Sequence, residues 1–123
     1  LQSAAIRFKN SMQENAKMHI ITEDVIEASH NGIVAWDKPK NIQPILIQGK
    51  DDYVKTKERW EIIKELFHEN GIQYKEIFSQ EGSILSKLVC LIYLLDYTSI
   101  YNAIISKTDP TPIKSIDFIK KRL

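Results

Sequence analysis

Cysteine is nearly absent: Cys90 is the single thiol in 123 residues. No disulfide can form within one chain, so a reducing, cytoplasmic setting is expected. Nothing cationic stands beside Cys90 in the run Leu88-Val89-Cys90-Leu91-Ile92 to lower its pKa, and it reads as a small buried hydrophobe. No charge sign dominates either. Seventeen basic and sixteen acidic residues leave a net charge of +1, without the one-signed basic face that a nucleic-acid partner requires. Long apolar runs are missing too: the longest, Leu88 to Leu95, falls far short of the ~20 residues that cross a bilayer, so no membrane partner is expected. The opening Leu1-Gln2-Ser3-Ala4-Ala5, followed by Arg7 and Lys9, does not read as a cleavable signal. With no initiator Met, the chain reads as a segment of a longer protein.

The composition, 43% hydrophobic and 27% charged, is that of a soluble globular protein rather than a disordered or fibrous one. The length suits one domain with its own core. Residues 4–17 carry a helical pattern, with Ile6, Met12 and Ala16 near one face. A second short helix is expected from Thr22, the candidate N-cap, to the region of Ser29 to Gly32. Pro44 to Gln48 is the clearest strand, its continuous apolar run fitting a parallel sheet buried on both faces. An amphipathic helix over residues 52–70 follows, with Trp60, Ile63 and Phe67 on its inner stripe and Asn70-Gly71 as its stop. Ile72 to Phe78 alternates as a second strand.

Gly82-Ser83 then opens the most apolar helix, expected to be buried and to reach Lys107. Asp109-Pro110-Thr111-Pro112 is a rigid stop before a last helix with Ile116 and Ile119 inward. Strand, helix and strand in this order imply a right-handed parallel crossover and an α/β sandwich. Two strands are few for such a sheet; either an edge strand lies near Ile33-Val34-Ala35-Trp36 or the sheet is completed elsewhere.

No glycine-rich phosphate loop and no metal-spaced cluster is present, and His19, His30 and His68 stand unpaired at helical spacing. His68 reads as part of a solvated helix face and His19 as a surface or interface residue. Two constellations hold more chemistry. Gln13-Glu14-Asn15-Ala16-Lys17 places a carboxylate at a helix end, where a plain solvated face is the competing reading. Glu27-Ala28-Ser29-His30-Asn31-Gly32-Ile33-Val34 sets a histidine among small and polar residues at an element boundary, a better catalytic position than a helix interior.

Together these segments resemble the C-terminal half of the bifunctional phosphoglucose/phosphomannose isomerases, which carries an E-N-A-K tetrapeptide and, some dozen residues on, a segment like E-L-N-H-N-E-I-V-G-W. The counterparts here are Glu14-Asn15-Ala16-Lys17 and Glu27 to Trp36. The family's apolar helix, roughly Y-L-x-D-x-x-S-x-Y-x-A, and its ending D-P-T-P-V-x-x-I-x-x-L-K are matched by Tyr93 to Ala103 and Asp109 to Lys120. The resemblance covers nearly the whole chain in order. At positions 28, 29 and 32 the chain has Ala, Ser and Gly in place of Leu, Asn and Glu.

The resemblance implies a sugar isomerase (SIS) domain, a flavodoxin-like three-layer α/β sandwich around a parallel sheet, occupying residues 1–123 as the second half of a two-domain enzyme. It implies aldose–ketose isomerisation of glucose 6-phosphate or mannose 6-phosphate to fructose 6-phosphate through a cis-enediol. Glu14 then matches the base moving a proton between C1 and C2, and His30 the residue of ring opening, reaching the partner subunit's site. Lys120 matches a lysine that aids ring opening and touches substrate. A carboxylate suits proton abstraction beside a carbonyl, and a histidine titrates near neutrality. The implied partners are a phosphorylated hexose, an N-terminal SIS domain of the same protein and a second copy in a homodimer; no cofactor or metal is implied. Because the phosphate-binding Ser/Thr residues and arginine of the family lie in the N-terminal half, this chain is expected to hold half an active site and to show little activity alone. The competing readings are a non-catalytic sugar-phosphate-binding regulatory or dimerisation domain, and an α/β interaction domain with no small-molecule site.

Overall fold

The structure, a computed structural model, describes residues 1–38 and 41–123. Helix α1 spans Gln2–Asn15 and α2 spans Val25–Ala28, followed by a 3-10 segment at Gly32–Asp37. Strand β1 (Ile45–Gln48), helix α3 (Val54–Glu69) and strand β2 (Lys75–Phe78) form the parallel crossover, and α4 (Ile84–Ile105) and α5 (Lys114–Lys120) complete the chain. The strands run parallel in the register Ile45 to Lys75 and Gln48 to Phe78. The ladder is extended at both ends, where Lys75 donates to the Pro44 carbonyl at 3.0 Å and Ser79 to that of Gln48 at 2.8 Å.

The fold is therefore mixed α/β with a small parallel sheet. Among the described residues that sheet has two strands, and two strands do not establish the expected three-layer sandwich. The expected edge strand near Ile33 to Trp36 is the 3-10 segment instead. Among the described residues it pairs with no strand; its Trp36 is turned onto α3, the ring 5.2 Å from that of Phe67 in an edge-on contact.

Apolar side chains sort into two clusters. Ala4, Phe8, Met12 and Ala16 of the first helical region pack with Leu91, Leu95 and Ala103 of α4, and Ile47 and Ile77 reach them from the sheet. Val25, Leu46, Ile63, Phe67 and Ile72 form the other cluster, with Trp36, Trp60 and Tyr74 against it. Adjacent strand residues point to opposite faces, so Leu46 and Ile47 feed different clusters. A polar tie also crosses α1 and α4: Asp96 accepts from Arg7 at 2.7 Å and from Ser11 at 2.7 Å. Burial works against the Asp96 charge, but the Arg7 and Ser11 hydrogen bonds outweigh it and hold the carboxyl below its usual range.

Several sequence expectations are corrected. Asp24, not Thr22, caps α2, its carboxylate accepting from the Ile26 N–H at 2.9 Å. The second strand starts at Lys75 rather than Ile72 because Gly71, at φ +66, closes α3 in a Schellman turn. There Gly71 donates to His68 and Ile72 to Phe67, leaving Ile72 buried against the helix it follows. Ile116 and Ile119 are exposed, since α5 lies open along its length. Cys90 is only half-buried.

Helix α4 departs furthest. Leu91, Leu95, Ser99 and Ala103 are buried, but Leu85, Val89, Tyr93, Tyr97 and Tyr101 are exposed on its other side. By length and composition alone α4 could cross a membrane. In this fold it packs along α1 instead and carries the Asp96–Arg7 ion pair.

Beside the sheet, Glu76 accepts from Gln48 at 2.9 Å and pairs with Lys64 at 3.1 Å. The Gln48 hydrogen bond lowers the Glu76 carboxyl below its ordinary value of 4.5, burial opposes this, and Lys64 adds to the lowering. A lowered folded-state value stabilises the domain above the ordinary value, and this is lost as pH falls through the lowered one. Urea midpoints of wild type and Glu76→Gln should therefore differ at neutral pH and converge as pH drops below 4.5. A gap that persists in acid would show the contribution to be packing rather than charge.

Candidate active-site half

The end of α1 is held at almost every position. Asn15 donates to Ser99 Oγ at 2.7 Å, and Ser99, fully buried in α4, donates to the Asp96 carbonyl at 2.6 Å. Ala16 is buried in the α1–α4 cluster. Lys17 turns the chain at φ +57, and its ammonium donates to the carbonyls of Glu14 at 2.6 Å and Pro112 at 2.8 Å. Amid these anchors the Glu14 side chain is exposed, and among the described residues it has no hydrogen bond or ion pair. The sequence marked Glu14, but Asn15, Lys17 and Ser99 went unassigned. The signal available for them was polar residues standing in the helix's last turn and on the apolar stripe of α4.

His30 follows α2, its N–H donating to the Glu27 carbonyl at 2.9 Å, and its side chain is exposed. Asn31 returns a hydrogen bond to the Glu27 carboxylate at 2.8 Å. Gly32, where the family pattern has Glu, lies against another carboxylate: a Cβ built there would overlap the Glu23 side chain. The Glu23 carboxylate therefore stands directly beside Gly32. α2 packs on the α3 side, whereas Glu14 belongs to the α1–α4 side.

Lys120 lies at the end of α5, exposed. The segment leading into α5 reaches the end of α1 through Lys17, which also lies 3.4 Å from the Pro110 carbonyl. The fold therefore joins the Glu14 turn to the approach of the Lys120 helix, while among the described residues no hydrogen bond or ion pair links Glu14, His30 and Lys120. Two surface depressions, of about 360 and 420 Å3, are lined by the α3–β2 turn and by α5, and neither includes any of the three.

The family profile described as the bacterial phospho-glucose isomerase C-terminal SIS domain matches residues 1–123. The chain belongs to this family. It is 33% identical over 123 residues to a bifunctional phosphoglucose/phosphomannose isomerase of Caldicellulosiruptor bescii, covering 97% of this chain and 36% of that protein. Proteins of the same name from Aquifex aeolicus and Thermoplasma acidophilum are 27% and 24% identical, over 97% and 99% of this chain and 38% and 39% of their own lengths. The chain thus spans little more than a third of the relatives it matches. No solved structure matches significantly.

Proposed function

We propose that the full-length protein interconverts glucose 6-phosphate or mannose 6-phosphate with fructose 6-phosphate, and that this domain supplies the acid–base side of the site. The observation that carries the reading is Glu14: a free, exposed carboxylate on a helix end whose next three residues are each anchored. A base that removes a carbon-bound proton must be held within reach of it, and fixed neighbours limit its search to side-chain rotamers. Glu14 takes the C2 proton of the open-chain aldose; that electron pair forms the C1–C2 double bond and the carbonyl pair moves to O1, which takes up a proton to give the cis-enediol. Return of the proton from Glu14 to C1, as O2 gives up its own proton and becomes the carbonyl oxygen, gives the ketose. His30 and Lys120 serve ring opening, His30 from the far side of the domain, where it suits the site of a second copy.

The uncovered face of α4 around Tyr93, Tyr97 and Tyr101, whose rings lie tilted to one another at 4.8 and 6.3 Å, is a surface for the N-terminal SIS domain or the partner in a homodimer. Further strands in the full-length protein would complete the three-layer sandwich. As a sugar-phosphate isomerase the protein acts in the cytoplasm. The regulatory alternative rests on the changes at 28, 29 and 32; the Glu23 carboxylate beside Gly32 weighs against it.

The test is to incubate the full-length protein with fructose 6-phosphate in deuterium oxide and follow C1 by NMR. Deuterium at C1 together with formation of an aldose phosphate is the expected result. Binding without exchange would make the domain a sensor, and absence of binding would leave only an interaction module.

A further inference from the structure

Lys17 ends α1 in a backbone conformation that suits it poorly. At φ +57 a Cβ crowds the following carbonyl, a penalty glycine escapes. Lys107 stands at the matching position after α4, at φ +55, and among the described residues its ammonium makes no hydrogen bond or ion pair. The two differ in what the side chain reaches. An ammonium has three N–H donors, and that of Lys17 faces three carbonyls: Glu14 at 2.6 Å, Pro112 at 2.8 Å and Pro110 at 3.4 Å. One belongs to the residue with the candidate base; the others belong to the lead-in of α5.

That lead-in is stiff. Pro110 and Pro112 have fixed φ, and the Asp109 carboxylate accepts the Thr111 N–H at 2.9 Å. Holding two of its carbonyls orients the whole segment. Beyond it α5 is exposed along its length, so its direction relative to α1 is set where the lead-in is held. The geometry points to Lys17 as a positioning residue of the isomerase site, its ammonium fixing the α5 lead-in, and with it Lys120, against the Glu14 turn. The inference rests on the isomerase reading above and adds to it a residue that touches no substrate.

The experiment compares full-length wild type with Lys17→Met, Lys17→Gly and the control Lys107→Gly, by steady-state kinetics and amide hydrogen exchange. Lys17→Gly suits the left-handed turn and so keeps the domain folded while removing the ammonium. Both Lys17 variants should lose on the order of 10- to 100-fold in kcat, the scale of a small misplacement of a reacting group. Amides 113–121 should exchange faster while those of α1 are unchanged, and Lys107→Gly should match wild type in both readouts. A Lys17→Gly protein with wild-type kcat, or with unchanged exchange over 113–121, overturns the assignment. An inactive wild type instead sinks the isomerase reading and this inference with it; faster exchange in the Lys17 variants would then show the pin to be structural only.

Discussion

Glu14→Gln in the full-length protein should lower kcat for aldose–ketose interconversion by on the order of 10²- to 10⁴-fold, the usual contribution of a positioned general base. The substitution keeps the shape of the side chain and removes its basicity. It leaves the local structure intact, because Lys17 holds the backbone carbonyl of Glu14 rather than its carboxylate, and Asn15 makes its own bond to Ser99. Exposed and unpaired among the described residues, Glu14 contributes little to stability, so the unfolding free energy should stay within about 0.5 kcal/mol of wild type. KM should change little, since the lost interaction belongs to the transition state. A variant within a few-fold of wild-type kcat would remove Glu14 from the chemistry and leave it a solvated helix end.

Phe67→Ala should be the most damaging change to the fold, at about 3–5 kcal/mol. Phe67 is 2% exposed and touches two separate pieces of chain, the 3-10 segment and the connection from α3 to β2. Its ring meets Trp36 of the 3-10 segment at 5.2 Å and Tyr74 at 5.8 Å, and its carbonyl accepts the Ile72 N–H in the turn that ends α3. Truncation leaves a cavity that neighbours from different elements cannot all move to fill. Whole domains are stable by about 5–15 kcal/mol, so the loss takes a large share. Urea unfolding followed by tryptophan fluorescence, with Trp36 and Trp60 as reporters, measures it. A loss below about 1 kcal/mol would mean that the site collapses freely, and that the α3 cluster is looser than its burial indicates.

Much of the fold was legible because periodicity reports burial. The run Ile45 to Ile47 marked β1, and the spacing of Ile63 and Phe67 marked α3 and its inner stripe. Asn70-Gly71 marked the end of α3, and the positive φ of Gly71 is the reason. Two of the errors share one cause: local pattern cannot say what lies opposite. Ile33 to Trp36 is apolar enough for a strand, yet its partner is a helix ring rather than an edge. Helix α4 reads as buried all round, yet only one stripe finds α1.

The amino-acid sequence by itself determined the family, through Glu14-Asn15-Ala16-Lys17, the His30 segment and the Asp109 to Pro112 ending, which keep their order along the chain. It determined the α/β class too, because helical and strand periods differ and are written in neighbouring residues. Tertiary structure alone decided what holds those motifs in place. Lys17 meets Pro112 across 95 residues and Asn15 meets Ser99 across 84, and the Glu23 carboxylate lies against Gly32. Hydrogen bonds and close contacts form between groups that packing brings together, and separation along the chain carries no record of that approach.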